Sequence, residues 1–319
     1  MNYSLSKSDL PKFFNSLLGK HEVIAPVNVR GWDFYRPVKS FDEVNMGYVN
    51  TRYSPKEYLL PVEERMISFD GSLKPEYAKI KRVIFGMRPC DVNAFNVIDL
   101  LLLSERPDPY YKRRRDDTLI IAINCEEAGE NCFCMSMGMH KAEQGYDLLL
   151  TENDKGYTVQ AGSEAGRKLT GKKFFKKTDK EPELRLKCSR MIPESAMQKL
   201  KSSFEHEIWS EEADRCLSCG ACTVTCPTCP CFDVDDVIEI NLRKGKRVRR
   251  WDSCQLKDFT KVAGGYVFRS ERANRLKHRI YHKLNYYIEQ FGVPMCTGCG
   301  RCITNCPTNI DMVEIVNRL

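Results

Sequence analysis

Apolar and polar positions switch between a helical and a strand period along the first half of the chain. Ser8 and Asp9, then Pro11, then an apolar series closing at Leu18-Gly19 predict a first helix with its start and stop signals. Val83-Ile84-Phe85, after Lys81, predicts a short buried strand ending at Gly86. Asp91 stands as the cap of a second helix that carries Val92, Phe95, Ile98 and Leu102 on one face. Thr118 to Ile123 reads as another buried strand. Tyr146 to Thr151, a turn at Asn153-Asp154-Lys155-Gly156, and Tyr157 to Gln160 read as a hairpin. Strands alternating with helices predict an α/β layer domain over residues 1–170. Residues 171–200 open on the charged stretch Lys172 to Glu181 and read as a linker. Residues 201–319 read as α-helical, with the longest helical pattern from Arg272 to Phe291 and Pro294 after it.

A chain of 319 residues suits two such domains and is long enough for a real core. The opening Met1 to Leu10 has no basic start or apolar stretch of a secretory leader. No apolar run approaches the roughly 20 residues that span a bilayer. A reducing, cytoplasmic setting without membrane insertion is therefore expected, and it argues against a disulfide scaffold for the sixteen cysteines.

The cysteines carry the chemistry. Cys216, Cys219, Cys222 and Cys226-Pro227 have ferredoxin spacing, and Cys296, Cys299, Cys302 and Cys306-Pro307 repeat it. Two-residue gaps let a tight loop present three thiolates to one face of a [4Fe-4S] cubane. In two-cluster ferredoxins the fourth cysteine of each run serves the other cluster. The expected ligand sets are thus Cys216, Cys219, Cys222 and Cys306, and Cys296, Cys299, Cys302 and Cys226. Gly220 and Gly300 stand where these loops must turn sharply. Structural zinc uses paired cysteines or histidines and fits a triplet plus one poorly. The formal charge of +7 is offset by roughly two negative charges per cubane, so it does not indicate a nucleic-acid partner.

A third site is expected in the first half. Cys90 and Cys125 each follow a predicted buried strand, and Cys132 and Cys134 lie just beyond. Ligands of open α/β sheets gather outside the carboxyl ends of strands. These four cysteines would hold a third [4Fe-4S] cluster, with the second helix pointing its positive end at it. The alternative is that several of them are small buried hydrophobes. Cys188 reads as isolated and structural. Cys229, Cys231 and Cys254 read as packing residues, a further metal centre being the alternative. His278 and His282 share a helix face with Arg275 and Arg279 and read as a cationic surface rather than a metal pair. No Gly-x-Gly-x-x-Gly fingerprint follows a strand, so no catalytic site is read in the chain and no flavin or nicotinamide site of that type.

Longer words carry a resemblance. Arg88-Pro89-Cys90-Asp91, Asn124-Cys125-Glu126-Glu127, Asn131-Cys132-Phe133-Cys134-Met135-Ser136-Met137-Gly138, Cys226-Pro227-Thr228-Cys229-Pro230-Cys231 and Trp251-Asp252-Ser253-Cys254 resemble the iron–sulfur β subunit of cytoplasmic [NiFe] sulfhydrogenases. They resemble equally the A subunit of anaerobic sulfite reductases. The resemblance implies an α-helical two-cluster ferredoxin domain at the C-terminus. It implies an electron-transfer subunit of a hetero-oligomer, set between a flavin-containing NAD(P)H-oxidoreductase subunit and a catalytic redox subunit such as a [NiFe] hydrogenase. The same relay in an anaerobic sulfite reductase, or in a heterodisulfide-reductase-linked flavin complex, is the alternative. A chain with its own flavin or substrate site is a further one.

Overall fold

The computed structural model describes residues 2–240 and 243–319. Its strands are, in chain order, β1 (Asn2–Ser6), β2 (Glu22–Val29), β3 (Trp32–Pro37), β4 (Glu63–Asp70), β5 (Leu73–Pro75) and β6 (Arg82–Met87). They continue with β7 (Thr118–Ile123), β8 (Leu148–Asn153), β9 (Gly156–Ala161), β10 (Lys176–Thr178), β11 (Phe232–Ile238) and β12 (Lys244–Trp251). Eight of them form one sheet in the order β10-β1-β9-β8-β7-β6-β2-β3. Its centre, β2-β6-β7-β8, is parallel, and the flanks are antiparallel. β6 is buried along its whole length, the near-continuous apolar run that a strand covered on both faces requires.

The pleat sends alternate side chains into two cores. Val83 and Phe85 pack with Phe13, Phe14 and Leu17 of the helix Leu10–Leu18. Ile84 packs on the other face with Val92, Phe95 and Ile98 of the helix Pro89–Leu102. Gly86 has φ +81 and marks a register shift between Phe85 and Met87, so the chain is re-aimed just before Cys90. The helix that follows is capped by the extended Arg88, not by Asp91. Asp91 lies inside the first turn, fully buried, because it is paired with Arg301.

Two further differences from the sequence reading concern strands. The charged stretch after residue 171 contributes β10, which pairs with β1 at the sheet edge, and a helix starts at Glu194. The second half also holds the hairpin β11-β12, where only helices were expected. β12 pairs with β4 of the first half, giving a second sheet in the order β11-β12-β4-β5. Buried Arg249 bonds Glu64 at 2.5 Å across that seam and also meets Asp108. The residues around the cysteine runs are otherwise short helices: Ile208–Arg215, Ala221–Val224, Arg301–Thr304 and Met312–Asn317. The pattern from Arg272 to Phe291 is helical throughout, with a π turn over His282–Tyr286, and stops at Gly292 in the left-handed region. Phe133 and Met137 from the first half join Trp209, Ile280 and Val316 in one core, so the two halves share apolar packing. Among the described residues no helix is long and apolar enough to cross a membrane.

Candidate iron–sulfur centres

The twelve cysteines singled out by the sequence gather around three adjoining cavities, Cys302 being shared by two of them. Cys216, Cys219, Cys222 and Cys306 line the first, of 540 Å³, with Leu276, Ile280 and Ile310 as apolar walls. Cys226, Cys296, Cys299 and Cys302 line the second, of 310 Å³. Cys90, Cys125, Cys132 and Cys134 line the third, of 290 Å³. Cys302, Arg279 and Met312 line both the first and the second. Cys299 of the second packs with Cys90 and Cys134 of the third. The cavities thus form a row, with the one on Cys296, Cys299 and Cys302 in the middle.

Local backbone explains how each loop can wrap a group. Gly220 and Gly300 have φ of +77 and +74 and open the short helices that carry the third cysteine of each run. Ser218 N–H and Gly298 N–H turn back to the sulfurs of Cys216 and Cys296, both at 3.4 Å. Cys90 lies at the end of β6 and Cys125 at the end of β7, two neighbouring parallel strands. The loop from Asn131 to Cys134 is pressed against the second run: Phe133 N–H donates to the Gly298 carbonyl at 2.8 Å. Any side chain there would collide. A Cβ on Gly298 would sit 2.6 Å from the Cys134 backbone, and one on Gly300 would sit 2.3 Å from the Asn131 carbonyl oxygen.

Buried cations face the sulfurs. Arg301 donates to both oxygens of Asp91 at 2.6 and 2.8 Å, and to Thr51, between the second and third cavities. Arg88 stacks 4.2 Å from the Tyr48 ring at the third, its Nε buried with no hydrogen-bond partner. Arg279 Nε is likewise orphaned, between the first and second. Burial lowers Arg279, but Cys222 and Cys302 outweigh it and hold the guanidinium well above its ordinary value. On the thiols burial acts in the opposite sense. Burial pushes Cys125 up to about 11 against the pull of Arg88. Burial pushes Cys222 and Cys299 up to about 12, against Arg279 and Arg301. Such thiols stay protonated unless a metal holds them as thiolates. Buried arginines with an unpartnered Nε, beside cavities lined by four or more thiols, fit an anionic metal–sulfur group. Among the described residues no group of three or more Cys, His, Asp or Glu side chains is placed to hold a single metal ion.

His278 and His282 stack with ring centres 5.5 Å apart. Burial lowers both to about 4, so they are neutral at pH 7 and the cationic character of that helix rests on the arginines. Cys188 is not isolated: its sulfur lies 3.7 Å from that of Cys134. Lys56 and Lys283, both buried, were also missed. Lys56 Nζ donates to the Cys229 carbonyl at 2.9 Å and Lys283 Nζ to Thr228 Oγ1 at 2.8 Å. Neither lysine is near a cysteine run in sequence, so no spacing announces it.

Residues 215–310 match the family model of a 4Fe-4S dicluster domain. Among curated proteins, the chain is 33% identical over 326 residues to sulfhydrogenase 2 subunit beta of Pyrococcus furiosus, covering 97% of this chain and 95% of that one. No solved structure matches.

Proposed function

Starting from the fact that this chain belongs to the family of sulfhydrogenase β subunits, we propose that it relays single electrons through three [4Fe-4S] clusters held in one row. Two clusters, in the C-terminal part, follow from the dicluster family; the third, in the α/β half, is the finer claim. Cys216, Cys219, Cys222 and Cys306 hold the first. Cys226, Cys296, Cys299 and Cys302 hold the second. Cys90, Cys125, Cys132 and Cys134 hold the third. The observation that carries this reading is the row of adjoining cysteine-lined cavities.

When bound, such clusters supply one-electron chemistry at potentials set by charge, burial and hydrogen bonds to sulfur. The chain's own residues do that setting. Arg279 places one positive charge against the first and second centres at once, and Arg301 with Asp91 places a paired charge between the second and third. Cys219 and Leu217 are exposed, with Leu217 at 63%, so the outer end of the row meets the surface there beside apolar side chains. A partner docking on that face could come close to the first centre.

The relay would join a flavin-containing NAD(P)H-oxidoreductase subunit to a catalytic redox subunit such as a [NiFe] hydrogenase, in a hetero-oligomer. The test is anaerobic purification of the native assembly, with subunits identified by mass and iron counted per chain. About twelve irons per chain support three clusters, and about eight remove the third. A sirohaem-bearing partner in place of a [NiFe] subunit would keep the relay and replace its destination.

A further inference from the structure

We propose that Cys231 and Cys254 form a fourth redox site, a thiol pair that holds two electrons and releases them by closing to a disulfide. The proposal rests on the relay reading for its one-electron carriers. Neither cysteine lines any of the three cavities. Instead they stand at the two ends of the hairpin: Cys231 precedes β11 and Cys254 follows β12. The antiparallel register pairs Phe232 with Trp251, and Asp252 N–H donates to the Cys231 carbonyl at 3.0 Å. That ladder brings both cysteines to the same end of the hairpin, within reach of each other's electrostatic influence.

The surroundings suit a thiolate that attacks its neighbour. Gln255 Nε2 faces the Cys254 sulfur at 3.6 Å, and the amide is fixed by its bond to the Arg275 carbonyl at 2.9 Å. The Cys231 thiol, assisted by Gln255, Arg279 and Lys283, draws the Cys254 thiol down to about 6 despite its burial. A low thiol beside a second, protonated thiol is the arrangement that thiol–disulfide chemistry uses. Cys231 is only half-buried, which leaves protons a way out.

The balance closes. On oxidation the Cys231 thiol loses its one proton to solvent, the Cys254 thiolate and the Cys231 sulfur join in one S–S bond, and two electrons leave singly to neighbouring iron–sulfur carriers. Cys222, at the first centre, lies within electrostatic reach of Cys254. In reverse, two electrons and one proton open the bond to the Cys254 thiolate and the Cys231 thiol. Hydride donors deliver electrons in pairs while cubanes pass them singly. A thiol pair beside the row would hold the waiting electrons.

The test uses the anaerobically purified holoprotein, poised with mediators over a series of potentials. Samples are quenched in acid, free thiols are then alkylated with N-ethylmaleimide in denaturant at neutral pH, and the peptides bearing Cys231 and Cys254 are read by mass spectrometry. The expected result is one cross-linked peptide pair, lighter by two hydrogens, that appears and disappears reversibly with a two-electron dependence. Cys231→Ser and Cys254→Ser should each abolish it and leave iron per chain unchanged. Alkylation of both residues at every potential, with iron present, would overturn the proposal. Loss of iron from either variant would also overturn it, by making that cysteine a metal ligand. Failure of the relay reading is separate, because it shows as missing iron in the unsubstituted protein.

Discussion

Replacing Arg301 by methionine removes one charge of the most deeply buried ion pair in the protein. Arg301 is 1% exposed and Asp91 is fully buried. The guanidinium makes four hydrogen bonds, two to Asp91 and two to Thr51, at 2.6 to 2.9 Å. Methionine fills similar volume, so the main loss is compensation: Asp91 is left charged and unpaired. Breaking a buried pair in this way costs about 3–5 kcal/mol. Because Arg301 joins the second cysteine run to the helix after β6, the cost falls on the contact between the two halves. At about 1.4 kcal/mol per tenfold, the open form of that contact becomes roughly 100- to 4,000-fold more populated. The assay is native-state hydrogen exchange of the Phe133 amide, which bonds the Gly298 carbonyl across this contact. Exchange should accelerate by that factor, and adding Asp91→Leu should recover much of it. The exposed pair Lys168–Glu164 provides the control, since removing it should change exchange by less than about threefold. Arg301→Met with Phe133 exchange as slow as in the parent would refute the reasoning.

Other outcomes follow from the same geometry. Gly298→Ala puts a Cβ 2.6 Å from the Cys134 backbone and should reduce iron at the third centre, whereas Gly220→Ala meets side chains alone, nearest Ser253 Oγ at 3.2 Å, and should be milder; iron analysis with paramagnetic resonance of both variants compares them. Cys306→Ser should alter the resonance of the cluster built on Cys216, Cys219 and Cys222, and an unchanged signal from that cluster would rule out the exchanged fourth ligand. His278 and His282 are lowered to about 4 by burial from an unfolded value near 6.5. The unfolded chain therefore binds more protons between those values, and stability should be level above pH about 6.5 and fall as pH drops toward 4. Melting temperatures of His278→Phe across that window should fall less steeply than those of the parent.

The ferredoxin runs were legible because ligation of a cubane is a local code of spacing and turns. The grouping of Cys90 with Cys125 was legible for a different reason: β6 and β7 are apolar runs whose ends could be read, and the cysteines follow directly. What stayed hidden lacks a local signal. β11 is exposed at every residue and carries three aspartates, so it has no apolar face to announce a strand. Its pairing is set by β12, and that of β12 by β4, far away in sequence. Asp91 reads as a helix cap because Arg301, which buries it, lies 210 residues on. Cys188 reads as isolated because its neighbour Cys134 is 54 residues back.

The seam between β4 and β12 constrains how the molecule is made. The strand at Glu63–Asp70 has one long partner, at Lys244–Trp251, so the second sheet stays open during synthesis until most of the chain has left the ribosome. The loop at Asn131–Cys134 likewise waits for Gly298 and Gly300 near the end. Such distant closures slow folding. If the third cavity takes the cluster proposed for it, iron reaches it after translation has ended, or is held there by an escort while its last wall is still missing. A ferredoxin fragment cut from this chain would leave an unpaired strand on each piece.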